Sequence, residues 1–440
     1  MTKKAGNLSA TPSLLIGLLR SQLGEKLMNE TTEEKCGWKR GCAVCGSQRS
    51  KLLFQQRFSE MSSGSLLEGY DMVVCQECGF GFADNIPEQA VFDAYYREMS
   101  KYEYQDCGGQ ESEYDLARFS AISGIIKQFL HNAQARILEV GCATGRLLSL
   151  LKESGYHNVL GLDPSPACAE AAQRLYGVRV LTNTLSDVSV PGQSSDFLIL
   201  VGVLEHIRDL GSALAKTRYM LSTEGLMFVE VPDATQFARW PDAPFQQFST
   251  EHINFFSATS LANLMQSNGF VQVFCRQDAR EQSYGTTMPV ISAIFKKDDL
   301  RPAHPVRDLE TEQGLVEYIR QSQKVDDRIR QMIDDLAASG RPIIVWGVGT
   351  HTLRLLATSK LTESNICAFV DSNSHYQGKQ LNGIPIIAPA DSKGRSEPIL
   401  ISSRAFQREI ERQIRDELKC TNELILLYQI RELAEDCPPR

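Results

Sequence analysis

The stretch Arg136-Ile-Leu-Glu-Val-Gly-Cys-Ala-Thr-Gly145 constrains this chain more than any other ten residues. Ile137 to Val140 have the length and character of a buried strand. Gly141 and Gly145 bracket a short loop, and a helical pattern runs from Arg146 to about Glu153. A strand, a glycine loop and a helix N-terminus, in that order, leave backbone N–H groups facing a concave site. Glycine lets a ligand approach the main chain closely. A second strand, Asn158 to Leu162, ends at Asp163. A carboxylate at that place can accept both hydroxyls of a ribose.

The alternation of strand and helix patterns covers residues of about 115–300 and returns over about 340–430. The predicted class is therefore α/β, with two Rossmann-like units in tandem rather than a solenoid. A length of 440 residues suits two or three domains. The expected divisions are a loosely ordered lead (1–34), a cysteine-rich segment (35–90), a first α/β domain (91–300), a linker and helix (301–340) and a second α/β domain (341–440). Lys296 to Pro305 reads as linker, and apolar residues at helical spacing predict a helix from Leu315 to Leu336. The formal net charge of -8 argues against a nucleic-acid partner, since such proteins carry a basic excess. No apolar run reaches the roughly 18 residues of a membrane span. Lys3, Lys4 and the short run Leu14 to Leu19 make a poor signal peptide. The expected location is the cytoplasm. The oligomeric state is not legible.

Four of the 12 cysteines form two close pairs, Cys42-Ala-Val-Cys45 and Cys75-Gln-Glu-Cys78, each followed by a glycine, Gly46 or Gly79. A C-x-x-C turn aims two thiolates at one ion, and two such turns complete a tetrahedral sulfur site suited to a structural Zn²⁺. Free thiols in a small β-domain, an iron–sulfur cluster and a redox dithiol are the competing readings, with Cys36 as a spare ligand.

Over residues of about 115–275 the chain resembles the class I S-adenosyl-L-methionine-dependent methyltransferases. The resemblance rests on Ile137–Gly145, Gly161-Leu-Asp-Pro-Ser165, the run Asp196 to Ile207, and Leu221-Ser-Thr-Glu-Gly225 with Met227 to Pro232. It implies a class I methyltransferase Rossmann-like domain. It places Glu139, Gly141, Cys142, Ala143 and Gly145 near the methionine part of the cofactor, Asp163 on the ribose, and Thr184 and Leu185 near the adenine. Ala143 departs from the pattern, since many relatives carry glycine there.

Two Glu-His pairs are candidates for chemistry. Glu205-His206 follows the fourth strand at the carboxyl edge of the sheet, and Glu251-His252 follows the fifth. A neutral histidine is a suitable base near pH 7, and an adjacent carboxylate can orient it. The other histidines, including His351, fall in loops or helix ends and receive no role.

The whole layout is similar to the zinc-containing sugar C-methyltransferases that act on nucleotide-linked keto-sugars. Ile343 to Thr350, Phe369 to Asn373 and Gly383 to Ile386 carry the carboxy-terminal part of that likeness. It implies His252 as the base, supported by Glu251, with His206 and an upstream tyrosine from Tyr95, Tyr96, Tyr102 and Tyr104 near the sugar. Ser249 stands where that family usually has tyrosine. O- or N-methylation of a sugar precursor, methylation of another small molecule, and a non-catalytic zinc-containing scaffold stay open.

Overall fold

The computed structural model describes residues 39–61, 66–98, 111–187, 195–240, 242–298 and 304–428. The lead, Cys36, Tyr102 and Tyr104 lie outside the described residues.

The cysteine-rich segment supplies β1 (Ser50–Arg57), β2 (Gly69–Cys75) and β3 (Gly81–Asp84). The central region supplies β4 (Ile137–Val140), β5 (Val159–Asp163), β6 (Val180–Thr182), β7 (Ser195–Val201), β8 (Leu221–Pro232), the short β9 (Asn254–Phe255), β10 (Phe270–Ser283) and β11 (Thr286–Lys297). Seven of these form one sheet in the order β10-β11-β8-β7-β4-β5-β6. The strands from β8 to β6 run parallel, and the β10–β11 hairpin adds an antiparallel edge. The remaining strand, β9, leaves this sheet and pairs with β3, so the first sheet reads β1-β2-β3-β9. The last region holds β12 (Ile343–Trp346), β13 (Ile366–Val370), β14 (Gln380–Leu381), β15 (Ile384–Ile387), β16 (Ile399–Ile401) and β17 (Leu424–Leu426), ordered β14-β15-β13-β12-β16-β17. Only β14 runs antiparallel there.

Local chemistry explains these elements. Central parallel strands are covered on both faces and therefore read as continuous apolar runs. Phe197, Leu198, Ile199 and Leu200 of β7 are all fully buried. Ser165 caps the helix Pro166–Tyr176 by accepting from the Cys168 N–H, proline starts it, and Gly177 closes it at φ 58°. Ser257 and Ser260 form a reciprocal capping box at the helix Ala258–Ser267.

Three expectations change in detail. The helix expected over Leu315–Leu336 runs from Glu310 to Ser339. Its Gly314 lies against the main chain of Thr235, where a Cβ would come within 2.7 Å of the Thr235 Cα. Lys296 and Lys297 are strand, not linker, because β11 pairs with β8 as far as Lys296 opposite Leu226. Leu221–Gly225, which the resemblance matches to the turn before the fifth strand, is instead an irregularity inside β8, where the pairing steps from Leu221 to Leu226. Among the described residues no helix is long and apolar enough to cross a membrane.

The three sheets share their packing. Phe80 and Phe82 of the cysteine-rich hairpin join a core with Leu138, Leu200, Phe256 and Leu264 of the central region. Ser59 donates its N–H to the carbonyl of Leu353 in the helix Thr350–Thr358, tying the first region to the last.

Candidate active site

The loop after β4 builds the floor of the site. Gly141 and Gly145 sit at φ 70° and 75°, and Ala143 at φ 46°, all in the left-handed region. Glycine adopts this region freely, and alanine at a cost. A Cβ on Gly141 would come within 2.8 Å of Val203 Cγ2. Asp163 ties the loop down: its Oδ2 accepts from the Ala143 N–H at 2.8 Å and its Oδ1 from the Ser165 N–H at 3.0 Å.

Two clefts open on this loop. One, of about 210 Å³, is lined by Gly141, Ala143, Asp163, Thr184, Leu185 and His206, with Tyr96 and Glu251 at its end. The other is lined by Glu139, Cys142, Glu205, His206 and His252, with Arg118, Glu230 and Arg280 opposite. Gly141, Ala143 and His206 belong to both and form the shared wall. The structure thus brings together the predicted catalytic and cofactor-binding residues except one. Gly145 lines neither cleft; it stands behind the loop at the N-cap of the helix Arg146–Glu153, against Val178 and Ala172.

Glu139 Oε2 is buried with no hydrogen-bond partner. Burial, reinforced by Asp163, holds its carboxyl well above the usual range, and Arg118 pulls the other way. An orphaned carboxyl oxygen in a cleft suits a ligand that brings a cation or N–H donors. Thr184 closes a turn, its hydroxyl donating to Asp187 Oδ2 at 3.0 Å and accepting from the Asp187 N–H.

Where the two clefts meet, His206 Nδ1 lies 3.0 Å from the main-chain carbonyl of Glu251 and 3.0 Å from the Tyr96 hydroxyl. A carbonyl only accepts, so Nδ1 carries the proton in that bond, and Nε2 is the basic nitrogen. His252 meets His206 edge to face with ring centroids 5.0 Å apart. Ser249, standing in place of tyrosine, accepts from the N–H groups of Glu251 and His252. Tyr95 reaches Glu251 Oε1 at 3.5 Å. Burial first, then the Glu251 carboxylate, raises the Tyr96 phenol far above its ordinary value and keeps it neutral.

Several residues of the site carry no signal in the sequence. Glu230, buried in β8, accepts from Ser292 and lies 3.5 Å from both Arg118 and Arg280. These residues are brought together only by sheet register and by the helix Glu113–Phe129. Tyr96 belongs to a stretch noted for its tyrosines, but only the fold selects it over its neighbours.

In the cysteine-rich segment, the Sγ atoms of Cys42 and Cys78 are 3.4 Å apart, those of Cys45 and Cys75 3.5 Å, and all four lie within 4.8 Å of one another. A tetrahedral ion with bonds of about 2.3 Å to sulfur requires separations of ~3.8 Å, so the donor set fits zinc. Gly46 and Gly79 have φ of 75° and 84°, as tight knuckle turns require.

Residues 114–273 match the methyltransferase domain family, and residues 340–426 match a family described as C2185-like, N-terminal. The C-methyltransferase NovU of Streptomyces niveus is 26% identical over 351 residues, covering 76% of this chain and 79% of that protein. A ubiquinone biosynthesis O-methyltransferase of Azorhizobium caulinodans is 29% identical over 123 residues, 25% of this chain and 48% of that protein. The crystal structure of the Burkholderia thailandensis 1,6-didemethyltoxoflavin-N1-methyltransferase superposes at a TM-score of 0.39 with 22% identity, over 51% of this chain and 97% of that one. The fold, the loop and the family match over residues 114–273 define the class of this part of the chain: a class I S-adenosylmethionine-dependent methyltransferase domain.

Proposed function

We propose that the enzyme methylates a small nucleotide-linked sugar or related glycan precursor in the cytoplasm, at a carbon next to a keto group. The observation that carries this reading is the pair of histidines packed edge to face, His206 on the wall shared by the two clefts and His252 beside it in the second. The similarity to a C-methyltransferase over most of the chain supports attack by carbon; O-methylation of the same class of acceptor is the alternative.

S-adenosylmethionine supplies a methyl group already activated on a sulfonium. The protein then has to align the acceptor, exclude water and take one proton. In our reading Glu139 and the Gly141–Ala143 loop, with Cys142 beside it, hold the methionine part, with Gly145 supporting the loop from behind. Asp163 takes the ribose, and Thr184 and Leu185 flank the adenine. His252 removes the acidified proton, Glu251 supports it, and His206 and Tyr96 lie near the sugar. Cys42, Cys45, Cys75 and Cys78 hold a structural Zn²⁺ that contributes to folding rather than to the reaction.

A mass-spectrometric search for a gain of one methyl group on candidate sugar nucleotides tests the reading, paired with thermal shifts by nucleoside diphosphates. His252→Ala is expected to lower turnover by about a hundredfold or more. Unchanged turnover, or no stabilisation by any nucleotide, counts against it.

One observation favours a second reading of the acceptor end. Glu205, His206 and His252 offer ligand atoms within 4.8 Å of one another, and two imidazoles with a carboxylate suit a divalent ion. Manganese binding seen by electron paramagnetic resonance and abolished by His206→Ala would support an acceptor held by metal.

A further inference from the structure

We propose that Arg40 and Asn254 are positioning residues through which the cysteine-rich segment holds both histidines of the active site in place. The inference rests on the reading that His206 and His252 serve the acceptor.

Arg40 stands two residues before Cys42. Its main-chain N–H donates to Asp84 Oδ1 at 2.9 Å, at the end of β3, and its guanidinium lies 5.3 Å from the centre of the Phe82 ring. Its Nη2 donates to Asn254 Oδ1 at 2.8 Å. With that oxygen engaged, the Asn254 amide nitrogen faces the other way and donates to the carbonyls of Leu204 and Ile207, each at 2.7 Å. These two carbonyls bracket Glu205-His206, so one amide group ties both ends of the turn that carries His206.

The residue between His252 and Asn254 completes the arrangement. The Ile253 N–H donates to the Glu205 carbonyl at 2.8 Å, and the Ile253 carbonyl accepts from the Ala83 N–H of β3 at 2.9 Å. The segment after His252 is thereby the edge strand of the cysteine-rich sheet, with Phe82 opposite Asn254 and Gly81 opposite Phe255. Its partner β3 begins three residues after Cys78. Arg40 and Asn254 are 8% and 2% exposed, so water cannot replace the bonds between them. Buried hydrogen bonds thus run from Arg40, two residues from Cys42 along the chain, to the turn that carries His206 and to the residues that follow His252. The parts come from distant stretches of sequence.

The test is the ring signature of His206 in the ¹⁵N nuclear magnetic resonance spectrum of the full-length, metal-loaded protein saturated with S-adenosylmethionine. The native spectrum is expected to show a single Nδ1–H tautomer. Asn254→Asp keeps the shape and the acceptor for Arg40 but turns both donated bonds into oxygen–oxygen repulsion. It is expected to mix the His206 tautomers while leaving metal content unchanged and the affinity for S-adenosylmethionine within about threefold, as for a site without shared partners. Arg40→Met is expected to produce the same mixing, and Arg40→Lys, which keeps a donor, to restore much of the native signature. If Asn254→Asp does not fold, the two Arg40 variants carry the test. Native ring signals in both Asn254→Asp and Arg40→Met, or no difference between Arg40→Met and Arg40→Lys, would overturn the proposal. The signature is read without an acceptor, so a failed base assignment, seen as unchanged turnover in His252→Ala, is a separate result.

Discussion

The two α/β units use the same backbone device and put it to different ends. In the first, the loop after β4 donates the Ala143 N–H to Asp163 Oδ2 at 2.8 Å, and the Ser165 N–H bonds Oδ1. In the second, the loop after β12 donates the Val348 N–H to Asp371 Oδ2 at 2.7 Å, and the Asn373 N–H bonds Oδ1 at 2.8 Å. The surroundings then part company. The first loop faces two clefts, and Glu139 beneath it keeps an orphaned oxygen. The second loop is knitted to its neighbours: the Thr352 hydroxyl donates to the Gly347 carbonyl and lies 2.6 Å from Ser402 Oγ. His351, in the first turn of the helix Thr350–Thr358, is buried and bonded to Tyr428 at 2.8 Å. Shared backbone geometry makes a cradle available, and the side chains around it decide between a ligand and structural support.

The largest expected break in the comparison lies beneath the second unit. Arg354 forms two hydrogen bonds to Asp326 at 2.7 and 2.8 Å, both side chains nearly inaccessible, and stacks over Phe245. Asp326→Ala strands a buried guanidinium and should cost about 3–5 kcal/mol in urea unfolding. The affinity for S-adenosylmethionine of the folded fraction should not change.

Next in size is the acidic residue of each loop. Asp163→Asn should weaken S-adenosylmethionine binding by about a hundredfold in calorimetry, the value of one or two charge-assisted hydrogen bonds. Asp371→Asn should leave that binding as it is. Equal losses would mean that both cradles contribute to one cofactor site.

A pH effect separates the units further. Burial, with some help from Arg354, lowers the His351 pKa from 6.5 to about 3. Its neutral form is favoured in the folded state, so the unfolded chain binds the extra proton below pH 6.5. Stability should be intact above that pH and fall with acidification toward pH 3, by up to about 1.4 kcal/mol per pH unit. His351→Gln should flatten that slope in denaturation curves taken at pH 7 and pH 5. An unchanged slope would remove His351 as its source.

The smallest effects concern single methyl groups. Ala143→Gly relieves a left-handed alanine and should gain about 0.5–1 kcal/mol or less in thermal unfolding. Gly349→Ala, at an ordinary φ of -74° with no atom within 4 Å of the added Cβ, should be neutral. A stabilising Gly349→Ala together with a destabilising Ala143→Gly would show the strain to be misplaced.

Features that depend on neighbours in the chain were legible without the structure. The strand, loop and helix of Ile137–Glu153, the carboxylate ending β5 and the two C-x-x-C turns each follow from backbone geometry over fewer than about twenty residues. The run Asp196 to Ile207 carried the resemblance to a fourth strand, and β7 stands there. Gly145, chosen by the same pattern, stands behind the cleft because a glycine loop does not state which of its glycines faces the ligand. Contacts between distant stretches were decided by packing alone. Asn254 is 214 residues from Arg40, Asp326 is 28 from Arg354, and Glu230 meets Arg118 and Arg280 from separate elements. A hydrogen bond across such distances depends on where whole strands dock, which no local periodicity encodes. For the same reason β9 could not be placed in advance: only the finished fold takes the segment after His252 away from the central sheet and gives it to the cysteine-rich one.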